Sequence, residues 1–140
     1  MTNGILNLAE VEPGIWRGGQ PTAEGWAWLA SQGVILSVKL NYESENAPQG
    51  ISVETLSMPP ETWLNAENKP DSSLVLRAVQ LLKPVQPNVF VHCDHGQDRT
   101  GLIVALHRVI NRGWTKETAR DEALAHGFHP EFIGLDLVWH

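Results

Sequence analysis

The chain has 140 residues, a formal net charge of −6, and 42% apolar content. This length predicts a single domain spanning 1–140 with enough apolar material for a core. The acidic balance argues against a general nucleic-acid binder, no run is long enough for an integral membrane segment, and one cysteine excludes an internal disulfide.

Residues 1–12 carry Glu10 and Glu12 and lack the basic and apolar stretches of a signal peptide, so none is expected there. Residues 14–17 are predicted as a short strand. Thr22 is suited to cap a helix running to about Gln32, with Gly33 as its stop. Residues 34–40, Val-Ile-Leu-Ser-Val-Lys-Leu, form an apolar and β-branched run that predicts a buried strand. Residues 51–57 alternate as a second strand. Residues 58–70, with Pro59, Pro60 and Pro70, are the largest predicted loop. Asp71 is placed to cap a helix through Leu82, which Pro84 and Pro87 break. Residues 89–91 are a strand, and residues 100–110 are apolar almost all round, which predicts a buried helix. Thr115 should cap a last helix to about Ala125, ended by Gly127. Residues 128–140 show no clear period. Strands alternating with helices predict an α/β fold, a mostly parallel central sheet flanked by helices.

The lone cysteine lies between the third strand-helix pair, in Val91-His92-Cys93-Asp94-His95-Gly96-Gln97-Asp98-Arg99-Thr100-Gly101. A thiolate is a strong nucleophile, and a helix N-terminus and a nearby guanidinium both favour the thiolate form. Backbone N–H groups of such a loop can cradle a phosphate. Arg99 can grip two phosphate oxygens through its planar fork. A buried, inert thiol is the ordinary reading of a free cysteine, and this context reverses it.

At His92, Cys93, Gly96, Arg99, Thr100 and Gly101 the chain resembles the cysteine-dependent protein tyrosine phosphatase superfamily, in its small bacterial dual-specificity-like and phytase-like branch. Trp16-Arg17-Gly18-Gly19-Gln20-Pro21 is similar to a turn near the start of bacterial members. The resemblance implies a phosphate loop between the last strand and a buried helix. It implies a phosphomonoester hydrolase with a cysteinyl-phosphate intermediate, acting on phosphotyrosine-type proteins or on inositol phosphates and phosphoinositides. Cys93 would be the nucleophile and Arg99 the phosphate clamp. Thr100 would assist the thiolate as leaving group, and His92 would orient the loop. Asp94, His95, Gly96, Gln97, Asp98 and Arg99 would surround the bound phosphate.

The general acid has three candidates. The family usually supplies an aspartate about thirty residues before the cysteine, and Glu61 stands near there. Asp98 precedes Arg99, where myotubularin lipid phosphatases carry an aspartate. Its position in the loop is set by sequence, so it is slightly preferred; Asp71 is third. Arg17, Lys39 and Lys69 are candidate rim cations, each read first as a surface or structural residue.

His92 with His95 and His126 with His129 have metal-like spacing. One cysteine and no His-Glu-x-x-His pattern speak against a metal, so neither metal nor cofactor is expected. The alternative function is a catalytically weak phosphate-ester binding module. Arsenate reduction or sulfur transfer fits less well, since Cys93 is late in the chain and alone. The expected partner is a phosphorylated substrate met by a monomer. A nucleophilic thiol suits a reducing compartment, so the expected location is cytoplasmic.

Overall fold

The computed structural model describes residues 1–44, 46–58, 71–84 and 88–129. Among these described residues nine elements follow in order. They are β1 (Ala9–Glu12), β2 (Ile15–Gly18), α1 (Ala23–Ser31), β3 (Leu36–Lys39), β4 (Ser52–Thr55), α2 (Ser72–Leu81), β5 (Val89–His92), α3 (Arg99–Arg112) and α4 (Lys116–Ala125).

Local chemistry starts the helices where the sequence predicts. The Thr22 hydroxyl accepts from the Gly25 amide at 3.2 Å. The Asp71 carboxylate accepts from the Ser73 amide at 2.8 Å, and Thr115 accepts from Thr118 at 3.2 Å. Each cap satisfies an amide that the helix cannot, for about 1 kcal/mol.

The strands order as β1-β2-β5-β3-β4. The pairs β2–β5, β3–β5 and β3–β4 are parallel, and β1–β2 is antiparallel. The expected mostly parallel α/β sheet is therefore present. Strand β1 was not among the predicted elements. Its sequence, Ala-Glu-Val-Glu, is acidic and only partly buried. It joins as an edge hairpin strand with a bulge.

β5 is the middle strand and is buried on both faces. Val89, Val91 and Cys93 point to the side where α2 and α3 bring Val75, Ala78, Leu82, Ile103 and Val104. Phe90 points the other way, into the cluster of Trp26 and Leu29 from α1 with Ile5 and Val34. Burying each valine, leucine, isoleucine or phenylalanine among them is worth about 1.5–3 kcal/mol. α4 lies on α3 through Ala119, Ala123 and Leu102. Among the described residues no helix is long and apolar enough to cross a membrane.

Candidate active site

The central strand ends at His92, and α3 begins at Arg99. The six residues between make the turn, beyond the carboxyl end of the strands where open α/β sheets bind ligands. Cys93 stands at its base, 1% exposed. The Thr100 hydroxyl donates to Cys93 Sγ at 3.0 Å. His92 is fully buried. Its ring stacks on Phe90 at 5.1 Å between centroids, with Trp26 edge-on at 6.1 Å. Its Nδ1 lies 3.3 Å from the Cys93 carbonyl. Packing of this kind orients a loop and leaves little room for the ring to work as a proton carrier.

Three successive loop carbonyls are held from outside. The Gln20 amide donates to the Asp94 carbonyl at 2.9 Å. Asn7 Nδ2 donates to the His95 carbonyl at 2.7 Å, and Arg17 Nη2 donates to the Gly96 carbonyl at 3.2 Å. Backbone meets backbone along this seam. A Cβ on Gly19 would fall 2.6 Å from the Asp94 oxygen, and one on Gly96 would fall 2.5 Å from the Gly18 carbonyl carbon. Gly96 also has φ +77°, a conformation that suits glycine.

Arg99 is buried, and its Nη1 donates to the Met58 carbonyl at 3.1 Å. The clamp candidate is thus tied to the segment that follows β4. Asp94 and His95 project outward, with side chains 45% and 62% exposed and 3.5 Å between Oδ2 and Nδ1. Gln97 is half-buried, and its amide packs on the backbone of Gly127. Asp98 is 3% exposed. Its Oδ1 accepts from the His129 amide at 2.6 Å. Both of its oxygens lie 3.0 Å from His129 Nδ1. Glu61 and Lys69 lie outside the described residues.

The two other rim candidates are not at a rim. Arg17 is 2% exposed, behind the loop, and among the described residues its Nε and Nη1 have no hydrogen-bond partner. Burial lowers its guanidinium to about 10, while Glu122 and Cys93 pull it upward and Arg108 lowers it further. Lys39 is buried on β3 and donates to the Asn41 carbonyl at 2.6 Å. Ser57 donates to that same carbonyl at 2.9 Å, and Asn41 Nδ2 reaches Gln20 Oε1 at 2.9 Å. This chain of bonds ties the turn at residues 18–21 to the ends of β3 and β4. Asn7 was not a sequence candidate, since nothing local marks it. Among the described residues no group of three or more His, Cys, Asp or Glu side chains could hold a metal ion.

The family described as DSP-PTPase phosphatase fused to NAD+ kinase matches residues 3–132. The dual specificity protein phosphatase TpbA of Pseudomonas aeruginosa is 33% identical over 129 residues, covering 90% of this chain and 57% of its own length. The inositol diphosphatase DSP2 of Oryza sativa is 28% identical over 124 residues, covering 84% and 60%. The chain therefore spans a little under two thirds of these relatives. A solved structure of P. aeruginosa TpbA in complex with pTyr is 26% identical with a TM-score of 0.71, covering 94% of this chain and 77% of that one. The core catalytic domain of the S. cerevisiae PP-IP phosphatase SIW14 has a TM-score of 0.72 at 22% identity, covering 89% and 77%, and shares the fold. With a lone cysteine seated under a threonine hydroxyl in the matching loop, the chain belongs to the cysteine-dependent phosphatase superfamily, in this dual-specificity-type family.

Proposed function

We propose that the chain is a phosphomonoester hydrolase that works through a cysteinyl-phosphate intermediate. The observation that carries this is the Thr100 hydroxyl 3.0 Å from Cys93 Sγ at the base of the loop. In the first step Cys93 attacks phosphorus, the bond from phosphorus to the leaving oxygen breaks, and an acid delivers a proton to that oxygen. Arg99 and the loop amides stabilise the equatorial oxygens. In the second step water gives a proton to the carboxylate that served as acid, its oxygen attacks phosphorus, the S–P bond breaks, and phosphate departs. Thr100 then donates its hydrogen bond to the departing thiolate.

The acid is read from two carboxyls. Asp98 accepts from the amide and faces the ring nitrogen of His129. These contacts engage both of its oxygens. That supports a tether from the loop to residue 129, and it weakens the slight preference that sequence position lends Asp98. Glu61 is then the first acid to test.

For substrate we infer a phosphate monoester of the phosphotyrosine or inositol phosphate type. The relatives' names support both, and the outward Asp94 and His95 leave the loop mouth without added lysine or arginine at those two positions. A malachite-green panel of phosphopeptides and inositol phosphates, run on wild type and Cys93→Ser, tests the reading. Turnover in wild type should vanish in the serine variant while phosphate binding persists. More than a few per cent of kcat in Cys93→Ser would sink the covalent mechanism. Binding without turnover in wild type would favour the weak binding module.

A further inference from the structure

The phosphate loop is held by a segment far from it in sequence. Asn7, Arg17 and the Gln20 amide take the carbonyls of His95, Gly96 and Asp94 in turn. A trans peptide unit is planar, with its C=O and the next N–H pointing in opposite directions. Fixing the carbonyls of residues 94, 95 and 96 outward therefore fixes the amides of residues 95, 96 and 97 inward. We infer that Asn7 and Arg17 are positioning residues whose side chains set the direction of the anion-binding amides of the loop.

Both side chains are suited to this task. Asn7 has φ +53°, a left-handed conformation that asparagine tolerates, and this turns its amide toward His95. Arg17 is 2% exposed and reaches Gly96 from β2, where it pairs with Val91 one residue before the loop's histidine. Its cost of burial is the cost of placing one strong donor behind a turn that presents its own donors elsewhere. The pull of Cys93 on the Arg17 guanidinium agrees with a cation close behind the loop. The seam has no slack, because Gly18, Gly19 and Gly96 touch through backbone atoms. A carbonyl released by its donor would be free to turn and present oxygen, not N–H, to an anion.

This inference rests on the phosphate-binding part of the proposed function, and its test does not need turnover. Inorganic phosphate is titrated as a protectant of Cys93 against iodoacetamide in wild type, Asn7→Gly and Arg17→Lys. Glycine keeps the positive φ and removes the donor; lysine keeps the charge and shortens the reach. The half-protecting phosphate concentration should rise about fivefold in Asn7→Gly and tenfold or more in Arg17→Lys. The rate of alkylation without phosphate should stay within about threefold, and turnover of p-nitrophenyl phosphate, where seen, should show a raised KM along with a lowered kcat. A half-protecting concentration within twofold of wild type in Asn7→Gly overturns the assignment, whatever its melting temperature. That exposed variant decides the matter if the buried Arg17→Lys fails to fold. Wild-type protection without hydrolysis of any ester would remove the proposed function and leave this inference standing. No protection of wild type would overturn both.

Discussion

The two ends of α3 both gather charge and do opposite things with it. At the N-terminal end, Arg99, Thr100 and the turn before them are braced from behind, with backbone amides directed into the loop. At the C-terminal end, His107, Arg108 and Arg112 meet Glu12 and Glu122 and satisfy one another. Glu12 takes His107 Nε2 at 2.7 Å and Arg112 at 2.9 Å. Arg108 holds Glu122 at 3.1 Å and lies 4.3 Å from the Trp114 ring. Asn111 donates to His107 Nδ1 at 2.9 Å, which leaves Nε2–H to donate to Glu12, the arrangement of a neutral ring. A cluster that closes on itself stabilises the fold. A cluster that spends its protein partners on one side and keeps donors for the other is built for a ligand.

The largest effect should come from the open end. Arg99→Lys should lose about a hundredfold or more in kcat/KM, because a point charge cannot replace a planar fork. A loss under about threefold in steady-state assays would mean Arg99 points away from the substrate.

The closed end should respond in stability alone. Glu12→Gln should cost about 2 kcal/mol in urea unfolding, since it removes the charge and one of the two acceptor oxygens that an arginine and a histidine share. Its kcat/KM should stay within twofold of wild type. A tenfold loss of activity in a fully folded variant would erase the distinction between the two ends.

The acid is located by leaving groups. Glu61→Gln should slow an alkyl phosphate about tenfold more than p-nitrophenyl phosphate, whose phenolate leaves unaided. Asp98→Asn should show no such contrast. The opposite pattern would restore Asp98 as proton donor. If neither variant shows it, Asp71 is next, although it already caps α2.

The smallest effect is a pH drift that the closed end should dominate. Burial, only partly offset by Glu12, holds the His107 ring below its ordinary 6.5. Burial and then Arg17 do the same to His126. Below pH 6.5 the unfolded chain therefore takes up protons that the folded rings refuse, and stability falls with pH. Burial would raise Glu12, yet hydrogen bonds from Arg112 and His107 leave it below its ordinary 4.5. Its contribution is present above 4.5 and is lost as pH falls through its lowered value. Urea midpoints should decline from pH 7.5 to 5.5, less so in His107→Gln. A midpoint that rises over that range would contradict the neutral, buried rings.

Much of the molecule is legible along the chain because it is decided within a few residues. Thr22, Asp71 and Thr115 each reach an amide two or three positions on. Cys93 and Thr100 are seven apart, and one turn brings them to 3.0 Å. β5 is apolar at Val89, Phe90 and Val91 because it is covered on both sides. Strand β1 escaped notice because two glutamates interrupt its pattern, and Glu12 is stabilised by residues 95 and 100 positions away.

What the sequence alone determined is the parallel α/β plan, the helix caps and the spacing of nucleophile, threonine and arginine, all set by short-range geometry. What only the tertiary structure decided is direction. Arg17 and Lys39 look like surface cations in a string of letters, and both are buried. Asn7 has no local mark, and its partner lies 88 residues on. Which way a carbonyl points, and so which way the next amide faces, depends on a donor delivered from another part of the chain, and no local pattern carries that information.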